Sequence, residues 1–443
     1  RQRRQLYPLA RIQAPPPHSM HKVLPKPGTL SLPPGFSIGL VTAGIARVPS
    51  GQALDASPSA QPVSAGSPRN VVMYNRDQQA FHPTCPTVDF LLRRNEEKSF
   101  AFTGEPSYSK RQRYLARHRT QIVAMTCMDG RLDVSVMAQL PPGIVTPFRN
   151  IAGRFDIGWP LLKEAVGRLS EYAQSRGERT IVLCGYHYSA GEPCRGCAGN
   201  GFDLDLSKTV AQRLVDQFQF VFGVDEGSAA VVPILFGIET DEDAFVFHGS
   251  GLNAAKTIPM RDFAAEAPDE SALRAAMRGT FPALRDRVAN DLFPLLLGNA
   301  RHIHDVRSSH RPIVEMSHKE TVIAVGRGFD WLHLPNKALI IGPFEHNWTK
   351  SVSTAASIII DNINTGRVDP ADGIVLLPSA LSFDPPGSYP WRMSEENALY
   401  LGRTAAEAIA QSHPELLTMA KVSALPGVVE GASLAFRPIL VTA

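Results

Sequence analysis

Four short apolar runs do most to limit what this chain can become: Gln121–Thr126, Gly143–Phe148, Thr180–Cys184 and Val231–Phe236. Each has the length of one buried strand. Between them, Asp156–Gln174 places Ile157, Leu161, Leu162, Ala165, Val166 and Leu169 at helical spacing, and Lys208–Gln219 is a second amphipathic segment. Strands alternating with helices build a mainly parallel sheet, so the class is α/β, with helices flanking the sheet. Asp241–His248 predicts an edge hairpin, and residues 255–318 are expected to be mostly helical.

The same order returns in weaker form over residues 319–443. Glu320–Val325 echoes Gln121–Thr126, Ala338–Ile341 the second strand, Thr354–Ile363 the following helix and Gly373–Leu377 the third strand. The echo carries a difference. Gly326-Arg327-Gly328 stands where the first copy has Cys127, and Pro378-Ser379-Ala380 where it has His187. The second copy is therefore expected to be degenerate. The domains read as a leader over 1–70, a small helical domain over 71–119 (helices at Val88–Arg94 and Ser109–Arg119), a first α/β domain over 120–318 and its degenerate copy over 319–443.

The leader looks disordered. Pro15, Pro16 and Pro17 begin a Pro-rich stretch, and no acidic residue precedes Asp55, although Arg1, Arg3, Arg4, Arg11, Lys22, Lys26 and Arg47 do. Too little apolar surface is present to offset the entropy of ordering it. One-sided charge beside Leu6, Tyr7 and Leu9 suits a tether to an acidic partner. The whole chain, at a net charge of +3, does not have the basic balance of a nucleic-acid-binding protein. No apolar run reaches the ~20 residues that a membrane-spanning helix needs, so no membrane insertion is expected. Lys110, Arg111, Arg113, Arg117 and Arg119 form a basic helix face, either simply solvated or a site for an anionic metabolite such as a sugar phosphate.

Chemistry concentrates where the first strand ends. Cys127-Met128-Asp129-Gly130-Arg131 puts a thiol, a carboxylate and a guanidinium at the carboxyl end of a parallel strand, the edge at which α/β proteins place their sites. His187 follows the third strand, and if the two strands are neighbours it emerges beside Cys127. Cys194 and Cys197 come soon after. Two thiolates and one imidazole make a Zn²⁺ site with one position open, the catalytic arrangement. The residues alone leave Cys194 and Cys197 both available as the third ligand. Cys184, inside a strand, reads as a small buried residue.

These motifs, with Arg149-Asn150-Ile151-Ala152-Gly153 and Cys184-Gly185-Tyr186-His187, resemble the β-class carbonic anhydrases. The usual second cysteine position is Ala190 here, followed as expected by Gly191. With the degenerate second copy, the helical segment and the basic leader, the chain resembles the divergent carboxysomal shell-associated branch of that class. The resemblance implies zinc on Cys127, His187 and Cys197, and hydroxide carried on the metal attacking CO₂. Asp129 would orient the hydroxide and Arg131 would hold Asp129. It also implies residence in the carboxysome, a leader that attaches to Rubisco or to shell proteins, and a homodimer or larger homo-oligomer. Three rivals stand beside it. One is a non-catalytic zinc-stabilised linker between Rubisco and shell. The second is a CS₂ or COS hydrolase sharing the site. The third is a thiol-disulfide oxidoreductase built on Cys194 and Cys197, which leaves Asp129 and His187 without a role.

Overall fold

The computed structural model describes residues 71–73, 86–223, 229–312, 316–329, 334 and 336–439; the leader tether and Cys85 lie outside the described residues. Strand β1 is Val71–Met73, and helices α1 (Pro86–Thr103) and α2 (Glu105–Arg117) follow. The first α/β region then runs β2 (Gln121–Cys127), α3 (Val134–Met137), β3 (Val145–Asn150), α4 (Pro160–Ser175), β4 (Thr180–Tyr188), α5 (Leu204–Phe222), β5 (Val231–Glu239), β6 (Ala244–His248) and β7 (Thr257–Pro259). Helices α6 (Glu270–Thr280) and α7 (Asp286–Ser309) lead to the second region.

The first sheet has the order β3-β2-β4-β5-β6-β7. β3, β2, β4 and β5 are parallel, while β6 and β7 form the expected antiparallel edge. Every residue of β2 and β5 is buried, which is why these strands read as unbroken apolar runs rather than as alternating ones. Helix α5 shows how sequence becomes element. Asp203 caps it by accepting from the Leu206 amide at 2.9 Å; Ser207, Ala211, Leu214, Val215 and Phe218 form its buried stripe.

The second sheet repeats the plan. β8 (Val322–Gly326) lies between β9 (Ala338–Ile341) and β10 (Ile374–Ser382), all parallel, as β2 lies between β3 and β4. Helices α8 (Trp348–Asn364) and α9 (Tyr389–Ser412) occupy the corresponding places in the chain. β11 (Val422–Ala424) and β12 (Gly427–Glu430) extend the other side of β10; β13 (Ala435–Pro438) runs antiparallel to β12, and β1 joins β11. Helix α1 lies on this second sheet: Asn95 donates to Leu434 O at 3.0 Å and Ser99 to Ser433 O at 2.9 Å. Of the basic run on α2, Arg111 is not on a solvated face. It is buried, with its guanidinium 4.0 Å over the Phe102 ring.

The two sheets meet edge to edge. Gly342 donates to Arg149 O at 2.8 Å, Ile340 to Met128 O at 2.6 Å, and Gly130 to Ala338 O at 2.8 Å. Phe344 stacks on Phe148 at 4.9 Å between ring centres, a contact worth about 1 kcal/mol beyond its buried area. At the end of β8, Gly326 has φ +125°, and a Cβ there would stand 1.8 Å from Ser379 O. Only glycine fits. The next residue, Arg327, lies over Phe148 and Phe344. This end of the second sheet is spent on packing between the halves.

Candidate functional site

β2 and β4 are direct neighbours, with Met125 paired to Cys184. Cys127 and His187 therefore stand side by side at the carboxyl ends of neighbouring strands. Past β4 the chain makes an excursion over residues 189–196, and Cys197 then turns back inward. The ligand atoms of Cys127, His187 and Cys197 all lie within 4.8 Å of one another, and all three residues are buried. The Cys127 and Cys197 sulfurs are 3.9 Å apart. Two thiolates at ~2.3 Å on a tetrahedral zinc would be about 3.8 Å apart. Both ring nitrogens of His187 are buried without a hydrogen-bond partner. A buried imidazole with nothing to bond is costly, and a metal ligand is a role that removes the cost. The donor set fits a divalent metal that accepts sulfur and nitrogen.

The contact between the two thiols, in which either sulfur can donate, combines with burial to push the Cys127 thiol well up. The same hydrogen bond, aided by the Asn200 and Gly199 amides, brings Cys197 below its ordinary value against the effect of burial. Cys194 takes no part in this group: it sits exposed on a short 3-10 turn over Pro193–Arg195. Ala190 is exposed too, and Cys184 is fully buried within β4.

Asp129 and Arg131 form a separate buried pair. Arg131 Nε lies 3.0 Å from each Asp129 carboxylate oxygen, Nη2 donates to Oδ2 at 2.6 Å, and the Arg131 amide donates to Oδ1 at 2.9 Å. Burial would raise the Asp129 pKa, but the Arg131 charge and its hydrogen bonds win and hold it far below the usual carboxylate range. Arg149 supports the loop from beneath: Nη1 donates to Thr126 Oγ1 at 3.1 Å and to Cys127 O and Asp129 O at 3.2 Å.

The sequence reading missed what the second half adds. His318 and Glu320, just before β8, are buried against Arg131. His318 Nδ1 is 2.7 Å from Glu320 Oε1, and its Nε2 lies 3.1 Å from Gly196 O and 3.3 Å from Arg131 Nη2. Asn362 on α8 donates to Glu320 Oε2 at 2.8 Å. Glu320 raises the His318 pKa against burial, and His318 lowers that of Glu320. The signal in the chain was only a His-x-Glu before a strand, which matches no motif.

Fold and site together define an α/β protein with a buried Cys-His-Cys group able to hold a metal, beside an arginine-clamped carboxylate. Residues 111–265 match the family described as Carboxysome Shell Carbonic Anhydrase, catalytic domain. With this catalytic domain the chain is an enzyme of the lyase class, a carbonic anhydrase, and its place is the carboxysome. No curated protein matches it closely enough to count as a relative. No helix among the described residues is long and apolar enough to cross a membrane.

Proposed function

We propose that the chain interconverts CO₂ and bicarbonate with zinc held by Cys127, His187 and Cys197, and with Asp129 and Arg131 as the working dyad beside it. The observation that carries this reading is the position of Asp129. Its oxygens fall outside the group formed by Cys127, His187 and Cys197 and lie with His318 and Glu320 instead, which supports a metal bound by three residues with its fourth position left for water. Bound zinc supplies a Lewis acid and a water whose pKa falls toward ~7. Asp129 accepts a hydrogen bond from the attacking oxygen and so turns a lone pair toward CO₂. Arg131 keeps Asp129 charged and spans both its oxygens, which opposes a swing of the carboxylate into the open position. Arg149 fixes the backbone on which both thiol and carboxylate ride.

One reduced, purified sample tests the reading. Expected are one zinc per chain and fast CO₂ hydration by stopped flow. One zinc without hydration would turn the reading toward the linker protein or toward CS₂ and COS, to be assayed next.

The carboxysome setting brings Rubisco and shell proteins within reach. We assign the attachment to the leader, which is free of acidic residues before Asp55, and the product CO₂ to Rubisco. A chain beginning near residue 75 should lose Rubisco binding, and the full chain should bind less as salt rises. A homodimer or larger homo-oligomer is the expected assembly, and sedimentation checks it.

A further inference from the structure

The excursion between His187 and Cys197 needs something to bring the thiol back. Ala190, where the resembled pattern has its cysteine, faces solvent. A ligand ten residues after His187 would otherwise sit at the end of a free loop. The structure shows one carboxylate taking three residues of that loop. Asp241, in the turn after β5, accepts from Ser189 Oγ at 2.8 and 3.0 Å, from the Gly191 amide at 2.8 Å and from Arg195 Nη1 at 3.0 Å. Glu239, fully buried at the end of β5, fixes that turn: it accepts from the Asp241 and Glu242 amides at 3.1 Å and from the Ala190 amide at 3.0 Å. From the opposite side, Arg131 Nη2 donates to Arg195 O at 2.8 Å, and His318 lies 3.1 Å from Gly196 O. Arg195 is thus held by its side chain on the turn after β5 and by its carbonyl on Arg131, two residues before Cys197.

We infer that Asp241 is a positioning residue for the metal centre, latching the loop of residues 189–196 through Ser189, Gly191 and Arg195 so that the Cys197 thiolate is delivered to the metal. This rests on the reading of Cys197 as a ligand. Asp241 acts on the metal only through the loop. Cutting the latch leaves Cys127 and His187 on their strands and frees the third ligand to leave. Partners one shell beyond the ligands are typically worth about 10–100-fold in metal affinity.

The test uses the full-length zinc-loaded protein, with zinc release to a chelating dye as the first readout. The second is the thiolate-to-metal charge-transfer absorption of the cobalt-substituted protein. Asp241→Ala should release zinc about 10–100-fold faster and weaken the charge-transfer band. Asp241→Asn should fall between, since its amide oxygen still accepts from Ser189 and Gly191 but loses the ion pair with Arg195. If Asp241→Ala does not fold, Asp241→Asn and Arg195→Ala decide, and both should speed release. Wild-type release rates with an unchanged cobalt spectrum in these two variants overturn the latch. Cys197→Ser separates the two readings. If it keeps stoichiometric zinc, the ligand assignment falls and the latch with it. If it loses zinc while the Asp241 variants behave as wild type, only the latch falls.

Discussion

Gly130 offers a sharp test of how the two halves make one site. It lies between Asp129 and Arg131, and its amide donates to Ala338 O across the junction at 2.8 Å. A Cβ at this position would stand 2.6 Å from Leu334 O and 2.7 Å from Ala338 O, whereas ordinary contact begins at 3.4 Å. Both obstacles are backbone, and Ala338 is held in β9, so the loop has to retreat by about 0.8 Å. The overpacking should cost about 1–3 kcal/mol of stability. The same retreat moves both members of the dyad, whose hydrogen bonds run from 2.6 to 3.0 Å. A misplacement near 1 Å can cost ~100-fold in rate, so Gly130→Ala should lower kcat/KM for CO₂ hydration by about 30–100-fold. Metal content should stay at one per chain, because Cys127 and His187 are set by the pairing of β2 with β4. Stopped flow and metal analysis on the same sample decide the matter. A kcat/KM within twofold of wild type would refute the reasoning, and metal loss in step with activity would put the effect on the ligands instead.

Cys197→Ser should empty the metal site and abolish hydration, while Cys194→Ser should keep metal and activity; metal per chain and stopped flow on the two proteins check this. His318→Leu strands the fully buried Glu320 beside Asn362, and should cost about 3–5 kcal/mol in urea unfolding. The double variant His318→Leu/Glu320→Met removes the stranded charge and should recover most of that loss; no recovery would mean that the pair matters for some reason other than burial of charge. His248, whose Nε2 lies 2.8 Å from the Tyr186 hydroxyl, has its pKa pushed down by burial to about 4. Here the unfolded chain takes up the proton first as pH falls. The stability is fully present above ~6.5 and is lost as pH drops toward 4, by about 1–2 kcal/mol between pH 7 and 5. His248→Gln should flatten that part of the pH profile of the urea midpoint.

Much of the fold was legible because parallel strands buried on both faces leave unbroken apolar runs. β2, β3, β4 and β5 all fall on the runs expected, though β4 extends four residues past its run, to Tyr188, and β5 three, to Glu239. The extension matters, since it carries Tyr186 and His187 inside the strand. Cys127, Asp129, Arg131 and His187 could be singled out because thiol, carboxylate, guanidinium and imidazole at strand ends have few bland explanations. Cys197 could be named but not separated from Cys194, since both lie close enough in the chain to reach the site.

What the chain by itself determined is local: the strand runs, the helical stripes, the reactive residues at the strand ends and the echo of the plan in the second half. The tertiary structure decided which of these groups meet. It turned Cys197 inward and Cys194 outward, because Asp241 and Arg131 grip the same loop from two sides. It also gave a use to the copy that looked empty. β9 holds the loop of Asp129 and Arg131 by its backbone, and His318, Glu320 and Asn362 close around Arg131. Backbone hydrogen bonds across a sheet edge leave no mark in residue type, and a buried ion pair shows itself only when both partners arrive from distant parts of the chain.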